Sequence, residues 1–274
     1  MRLRHLATGS AAGLLAATLL LTGCSSGGSS DADDSGSPAG SGSTSGSTSG
    51  LSGEITVFAA ASLTGSFTTL GKQFQEANPG TTVTFNFAAS STLATQITQG
   101  APADVFASAS PTNMETVVTA GAAEASDDFA SNSGEIAVAA GNPGGVTSLA
   151  DLANSDVTVA VCQPQVPCGK LATTIFANAS ITVKPVTEEA DVKSTLAKVT
   201  TGAVDAGIVY VTDVKAAGDD IEGIEIPADQ NATTKYPIAA LTGSQNTDLA
   251  KAFTEYVLSA DGQKVLTDAG FASP

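Results

Sequence analysis

Beyond residue 23 the sequence contains no arginine, no histidine and no tryptophan; Arg2, Arg4 and His5 all sit at the N-terminal end. Without histidine there is no imidazole base, no Ser-His nucleophile pair and no histidine metal ligand. That sets aside most hydrolytic and metal-dependent catalysis, and no enzyme is expected. Once Arg2 and Arg4 are set apart, nine lysines face 27 acidic residues, a net charge of −18. Phosphate neutralisation needs basic patches, so nucleic acid is not an expected partner. Thiols are scarce too: Cys24, Cys162 and Cys168 are the three cysteines.

Residues 1–23 read as a secretory signal, with a basic start at Arg2 and Arg4, an apolar run from Ala11 to Leu21, and a small residue before the cut. The run is shorter than the roughly 20 residues that span a bilayer. Leu21-Thr22-Gly23-Cys24 resembles the lipobox of bacterial lipoproteins, which implies lipidation of Cys24 and tethering to the outer face of the membrane. An ordinary signal with an incidental cysteine is the alternative. Residues 24–52 form a Ser/Gly/Thr/Asp-rich linker without the apolar content to fold. Within it Ser25–Gly50, as a flexible coil of about 26 residues, has a reach of about 25–30 Å. In an oxidising compartment, Cys162 and Cys168 of CQPQVPC are expected to close a small disulfide loop, with two free thiols as the alternative.

From residue 53 the chain alternates strand-like and helix-like runs. Strands are expected at Ile55–Ala59, Val83–Phe87, Asp104–Ala107, Ile136–Ala139, Val157–Val161, Ile181–Val186, Gly207–Tyr210, Ile221–Ile226 and Tyr236–Leu241. Helices are expected at Leu63–Ala77, Thr92–Gln99, Pro111–Ala120, Ser148–Ala153, Gly169–Asn178, Glu189–Thr200, Thr212–Ala217, Leu249–Ser259 and Gly262–Ala269. The order predicts an α/β fold of mostly parallel sheets flanked by helices. These are too many strands for one compact layer. Two lobes are expected, 53–135 with 237–274 and 136–236, hinged by crossing strands with a ligand in the cleft.

Two segments point to the ligand: VFAAASLT at Val57–Thr64 and FAASSTL at Phe87–Leu93. Each is a strand-like run ending in small residues, then a serine, then a helix. Serine is a favoured helix N-cap, and a helix start leaves backbone N–H groups free. With the positive end of the helix dipole, two such starts predict a site for one small anion.

The ordered set VFAAASLT, FAASSTLATQI, GAPADVFASAS, VPCG, ADV and AGIVY resembles the periplasmic molybdate-binding proteins of ABC transporters, over nearly all of Glu54–Phe271. The resemblance implies a two-lobed type II periplasmic-binding fold and capture of molybdate or tungstate, with no cofactor and no free metal cation. It implies five ligand positions: the hydroxyls and N–H groups of Ser62 and Ser90, the N–H groups of Cys168 and Val192, and the Tyr210 phenol. Cys168 stands where the family has alanine, which a main-chain donor tolerates. The implied partner is an ABC permease, with the protein itself a monomer.

The chemistry agrees with these positions. Molybdate carries no proton near neutral pH, so a site made only of donors suits it. Phosphate is partly protonated there and needs an acceptor, and none of the five positions is acidic. A hydrogen bond to a charged group contributes about 1.5–3 kcal/mol. Sulfate is a smaller tetrahedral dianion, distinguished only by contacts left unmade. A sulfate or other oxyanion binder is one alternative; a surface lipoprotein for interaction rather than transport is another. Asp104 is expected to serve structure, Asn178 and Asn231 to be chance glycosylation matches, and the acidic residues between Asp213 and Asp229 to form a solvated face.

Overall fold

The computed structural model describes residues 50–274. The signal of residues 1–23, Cys24 and the linker up to residue 49 lie outside the described residues.

Strand β1 (Gly53–Ala60) is buried on both faces, with Ile55, Val57 and Ala59 fully enclosed and Phe58 and Ala60 nearly so. Covered on both sides, it needs apolar residues at successive positions, which is why it reads as a continuous apolar run. It lies parallel to β2 (Thr81–Ala88) and β3 (Val105–Ala107), with Ile55 opposite Val83 and Val57 opposite Val105. Helix α1 (Thr64–Ala77) connects β1 to β2 and buries Phe67, Leu70 and Phe74 at helical spacing. Phe67 and Phe74 meet Phe129 and Phe253 with ring centroids 5.7 and 5.4 Å apart. Helices α2 (Ser90–Thr98) and α3 (Pro111–Thr119) cover the other face.

The second half repeats the plan. Strand β5 (Val159–Cys162) runs parallel to β6 (Thr187–Glu189) and β7 (Ala206–Tyr210), with helices α4 (Pro167–Asn178), α5 (Val192–Thr200) and α6 (Val211–Ala217) between and after them. Strand β8 (Ile221–Ile224) follows. Helices α7 (Thr247–Leu258) and α8 (Ala260–Asp268) close the chain against the first half.

Two strands join the halves. Strand β4 (Asp127–Ala139) pairs with β9 (Thr233–Ala240) up to Ser133, then with β7 and β8 from Gly134 onward. The strand order is therefore β2-β1-β3-β9-β4-β7-β5-β6, with β8 on β4. Every antiparallel pairing involves β4 or β9; the remaining pairings, β1 with β2 and β3, β5 with β6 and β7, are parallel. Buried side chains fall into one cluster around Ile136, Val159, Ile175 and Ile208 and two on opposite faces of β1, around Phe67 and around Phe106.

Five expected elements differ. Ser148–Ala153 holds a 3-10 stretch, Leu149–Ala153, in place of an α-helix, and β9 begins at Thr233 rather than Tyr236 because it already pairs with β4 there. Strand β4 begins nine residues before Ile136, because its first part (DDFASNSGE) carries no apolar run and is held by its ladder with β9. Ile181–Val186 is not a strand; the ladder to β5 starts at Thr187, after Pro185, which has no N–H to donate. Helix α5 starts at Val192 rather than Glu189, since Glu189 still pairs with Cys162 in the β5–β6 ladder.

Candidate functional site

Four helix starts converge where these strands end. Strand β1 leads through Ala60 into a 3-10 turn, Ala61–Leu63, and then α1. Strand β2 leads through Ala89 into α2, whose first residue is Ser90. Helix α4 opens on Pro167 and Cys168, and α5 on Val192 behind Asp191. The serines are thus not the caps their sequence context predicts: the cap positions belong to Ala60 and Ala89, which have no side-chain oxygen. Displaced one or two residues into the turn, Ser62 and Ser90 keep their hydroxyls available for other partners. The first-turn N–H groups of all four starts have no partner within their own helices.

Ala60, Ala61, Ser62, Ala89, Ser90 and Ala109 from the first half, with Pro167, Cys168, Asp191, Val192 and Tyr210 from the second, line one small cavity. It leaves about 20 Å³ for the centre of a water-sized sphere. Most of the lining is buried, with Ser90 and Tyr210 each 1 % exposed, while Asp191 at its edge is half-buried. The 3-10 turn packs against α5, and Ala61 and Ala89 share a buried cluster with Cys168, Val192 and Tyr210.

The hydroxyls are arranged as donors. Ser90 Oγ accepts the Ala109 N–H at 2.9 Å, so its own hydrogen remains free. Ser62 Oγ lies 2.9 Å from the Tyr236 hydroxyl. The Tyr210 hydroxyl is buried with no hydrogen-bond partner in the protein. Burial pushes the Tyr210 pKa well up, and Tyr236 and Asp213 push it the same way, so the phenol stays protonated. No lysine lines the cavity. Asp191 does, but its Oδ1 accepts the Ser194 N–H at 2.8 Å and caps α5.

Behind Tyr210, Asp213 Oδ2 accepts the Tyr210 N–H at 3.2 Å, and Oδ1 lies 2.9 Å from Lys193 Nζ. Asp213 is fully buried, so it does not belong to the solvated face expected for its stretch; the ion pair with Lys193 compensates its burial. Burial pushes its carboxyl pKa up against the pull of the lysine. Asp219, Asp220, Glu222, Glu225 and Asp229 are exposed.

Cys162, ending β5, and Cys168, in the first turn of α4, are joined by a disulfide with Cα atoms 5.6 Å apart. Next to it, a Cβ on Gly169 would lie 1.9 Å from the Gln163 carbonyl oxygen, so only glycine lets α4 start this close to the loop. Asp104 is structural: it accepts the Thr56 N–H at 2.7 Å and the Ser244 hydroxyl at 2.5 Å.

All five residues singled out in the sequence, Ser62, Ser90, Cys168, Val192 and Tyr210, come to this one cavity. Three residues around it were missed. Asp191 carries a local signal, an aspartate three residues before Ser194, whose N–H it accepts. Ala109 and Tyr236 carry none, since each reaches its serine only through the fold.

A family model described as bacterial extracellular solute-binding protein matches residues 55–272. The chain is 45% identical over 221 residues to the molybdate-binding protein ModA of Mycobacterium tuberculosis (strain ATCC 25618 / H37Rv), covering 80% of this chain and 85% of that protein. It is 30% identical over 224 residues to a putative ABC transporter substrate-binding lipoprotein, YvgL, of Bacillus subtilis (strain 168), covering 80% and 86%. Among solved structures, the periplasmic molybdate-binding protein of Azotobacter vinelandii superposes with a TM-score of 0.71 at 21% identity, over 80% of this chain and 99% of that one.

Proposed function

We propose that this chain, which belongs to the bacterial extracellular solute-binding protein family, captures molybdate or the similarly shaped tungstate outside the cell for import by an ABC transporter. It is a transport binding protein, not an enzyme. The observation that carries this function is the donor-rich cavity. Two serine hydroxyls, a buried unpartnered phenol and four helix starts face one small space that no basic side chain enters. Such a space neutralises a dianion with dipoles and hydrogen bonds alone. The one acidic side chain at its edge, Asp191, has its Oδ1 engaged by the Ser194 N–H as the cap of α5.

In this reading Ser62, Ser90 and Tyr210 donate O–H, and Cys168 and Val192 donate main-chain N–H. The residues 53–135 with 237–274 form one lobe and 136–236 the other, and they close over the anion. Opening flexes the chain where β4 changes partners, between Ser133 and Gly134, and where the chain returns before β9. Outside the membrane, a lipid on Cys24 tethers the monomer and the linker lets it reach an ABC permease. The relation to a protein named a substrate-binding lipoprotein supports the anchor.

The test is calorimetric titration of the purified protein with molybdate, tungstate, sulfate and phosphate. One-to-one binding of molybdate and tungstate, with sulfate and phosphate far weaker, is expected. Equal binding of sulfate reassigns the ligand within the same class. Binding of none of the four removes the transport function.

A further inference from the structure

Tyr236 lies on β9, 174 residues from Ser62 in sequence, with its hydroxyl 2.9 Å from Ser62 Oγ. It is wholly buried and does not itself line the cavity. Its ring meets Phe129, Tyr210 and Phe271 edge-on, with centroids 6.1, 6.1 and 5.3 Å away. Held on three sides, the ring presents its hydroxyl to Ser62 in one fixed place.

We infer that Tyr236 is a positioning residue for the bound anion: its hydroxyl donates to Ser62 Oγ and commits the Ser62 hydrogen to the cavity. This rests on the reading of the cavity as an oxyanion site. A serine hydroxyl has one hydrogen and two lone pairs, and a tyrosine hydroxyl has one hydrogen. An anion without protons offers only acceptors. When it fills the cavity, the Ser62 hydrogen goes to the anion, and the hydrogen between the two hydroxyls comes from Tyr236. The other serine has the same arrangement with a backbone donor, since the Ala109 N–H donates to Ser90 Oγ. Each serine therefore accepts from a fixed group behind it and donates forward. Burial pushes the Tyr236 phenol pKa far above its ordinary value, so its hydrogen is retained. Hydrogen bonds in series polarise one another, which strengthens the forward bond to the anion.

The experiment compares the wild-type protein with Tyr236→Phe, Ser62→Ala and the double variant, each titrated with molybdate near neutral pH. Tyr236→Phe is expected to weaken molybdate binding about tenfold, the worth of one hydrogen bond to a charged system. In the double variant the loss should equal that of Ser62→Ala alone. A merely structural loss persists when Ser62 is already alanine and so multiplies in the double variant, whereas a loss that acts through the Ser62 hydroxyl does not. Wild-type molybdate affinity in Tyr236→Phe, or losses that multiply in the double variant, overturn the inference while the transport function stands. A wild-type protein that binds no oxyanion overturns both. Should Tyr236→Phe fail to fold, the Tyr236 hydroxyl proton is followed by NMR in the wild-type protein. A downfield move on molybdate loading supports the relay, and an unmoved resonance overturns it.

Discussion

Asn231 and Gly134 hold each other by two hydrogen bonds: Asn231 Nδ2 donates to the Gly134 carbonyl at 2.9 Å, and Asn231 Oδ1 accepts the Gly134 N–H at 3.1 Å. The pair sits where β4 leaves β9 for β7, so it pins the two crossings of the chain to one another. Asn178 adds a third link by donating to the Asn231 carbonyl at 2.9 Å. Asn231→Ala removes the pin and is expected to cost about 1–3 kcal/mol in urea unfolding. On the proposal that the lobes open at this crossing, it should also speed molybdate release in stopped-flow measurements.

Tyr210→Phe separates stability from binding. The Tyr210 hydroxyl makes no hydrogen bond within the protein, so its removal breaks none. Removing it should leave the ligand-free melting temperature unchanged or higher. Molybdate affinity should fall by about tenfold or more, since a donor to a charged group contributes about 1.5–3 kcal/mol. Scanning calorimetry with and without molybdate reads both, and a lower ligand-free melting temperature would contradict the assignment.

Lys193→Met tests the support behind the tyrosine. It leaves the fully buried Asp213 carboxylate without its ion pair. Because Lys193 is partly exposed, the expected loss is about 1–3 kcal/mol, below that of a fully buried pair. The pH dependence has a definite sign. The folded-state pKa of Asp213 is raised by burial, so the folded protein holds its proton to higher pH than the unfolded chain. Stability then falls as pH rises from the ordinary carboxylate range through the raised pKa. Loss of the lysine raises that pKa further. The deficit of Lys193→Met should be full near neutral pH and shrink as pH falls, in urea titrations at several pH values.

Replacing Cys162 and Cys168 together by alanine opens the loop that ends in the α4 start. A loop this short is expected to contribute about 2 kcal/mol. Molybdate affinity should drop less than in Tyr210→Phe, because an alanine at position 168 keeps the main-chain N–H. A loss of affinity larger than that of Tyr210→Phe would mean the sulfur itself contacts the ligand.

Much of the fold was legible because it is local. Phe67, Leu70 and Phe74 lie on one face of α1, and Val57–Ala60 of β1 is an unbroken apolar run; both patterns report burial directly. The same holds for the helix starts at Ser62 and Ser90, where strand, small residues and serine follow one another in sequence. The limits were local as well. Ile181–Val186 has strand composition, but β5 is only four residues long and pairs no earlier than Thr187.

By itself the sequence determined the alternation of strands and helices and the lack of any histidine beyond residue 23, and its family resemblance pointed to five positions that line one cavity. Only the tertiary structure decided that Asp127–Gly134 is strand, that Asp213 is buried beside Lys193, and that Ala109 and Tyr236 stand behind the two serines. The reason is physical. Periodicity and capping arise from neighbours within a few residues, whereas these features come from ladders and contacts between distant segments, such as Ser62 with Tyr236 across 174 residues.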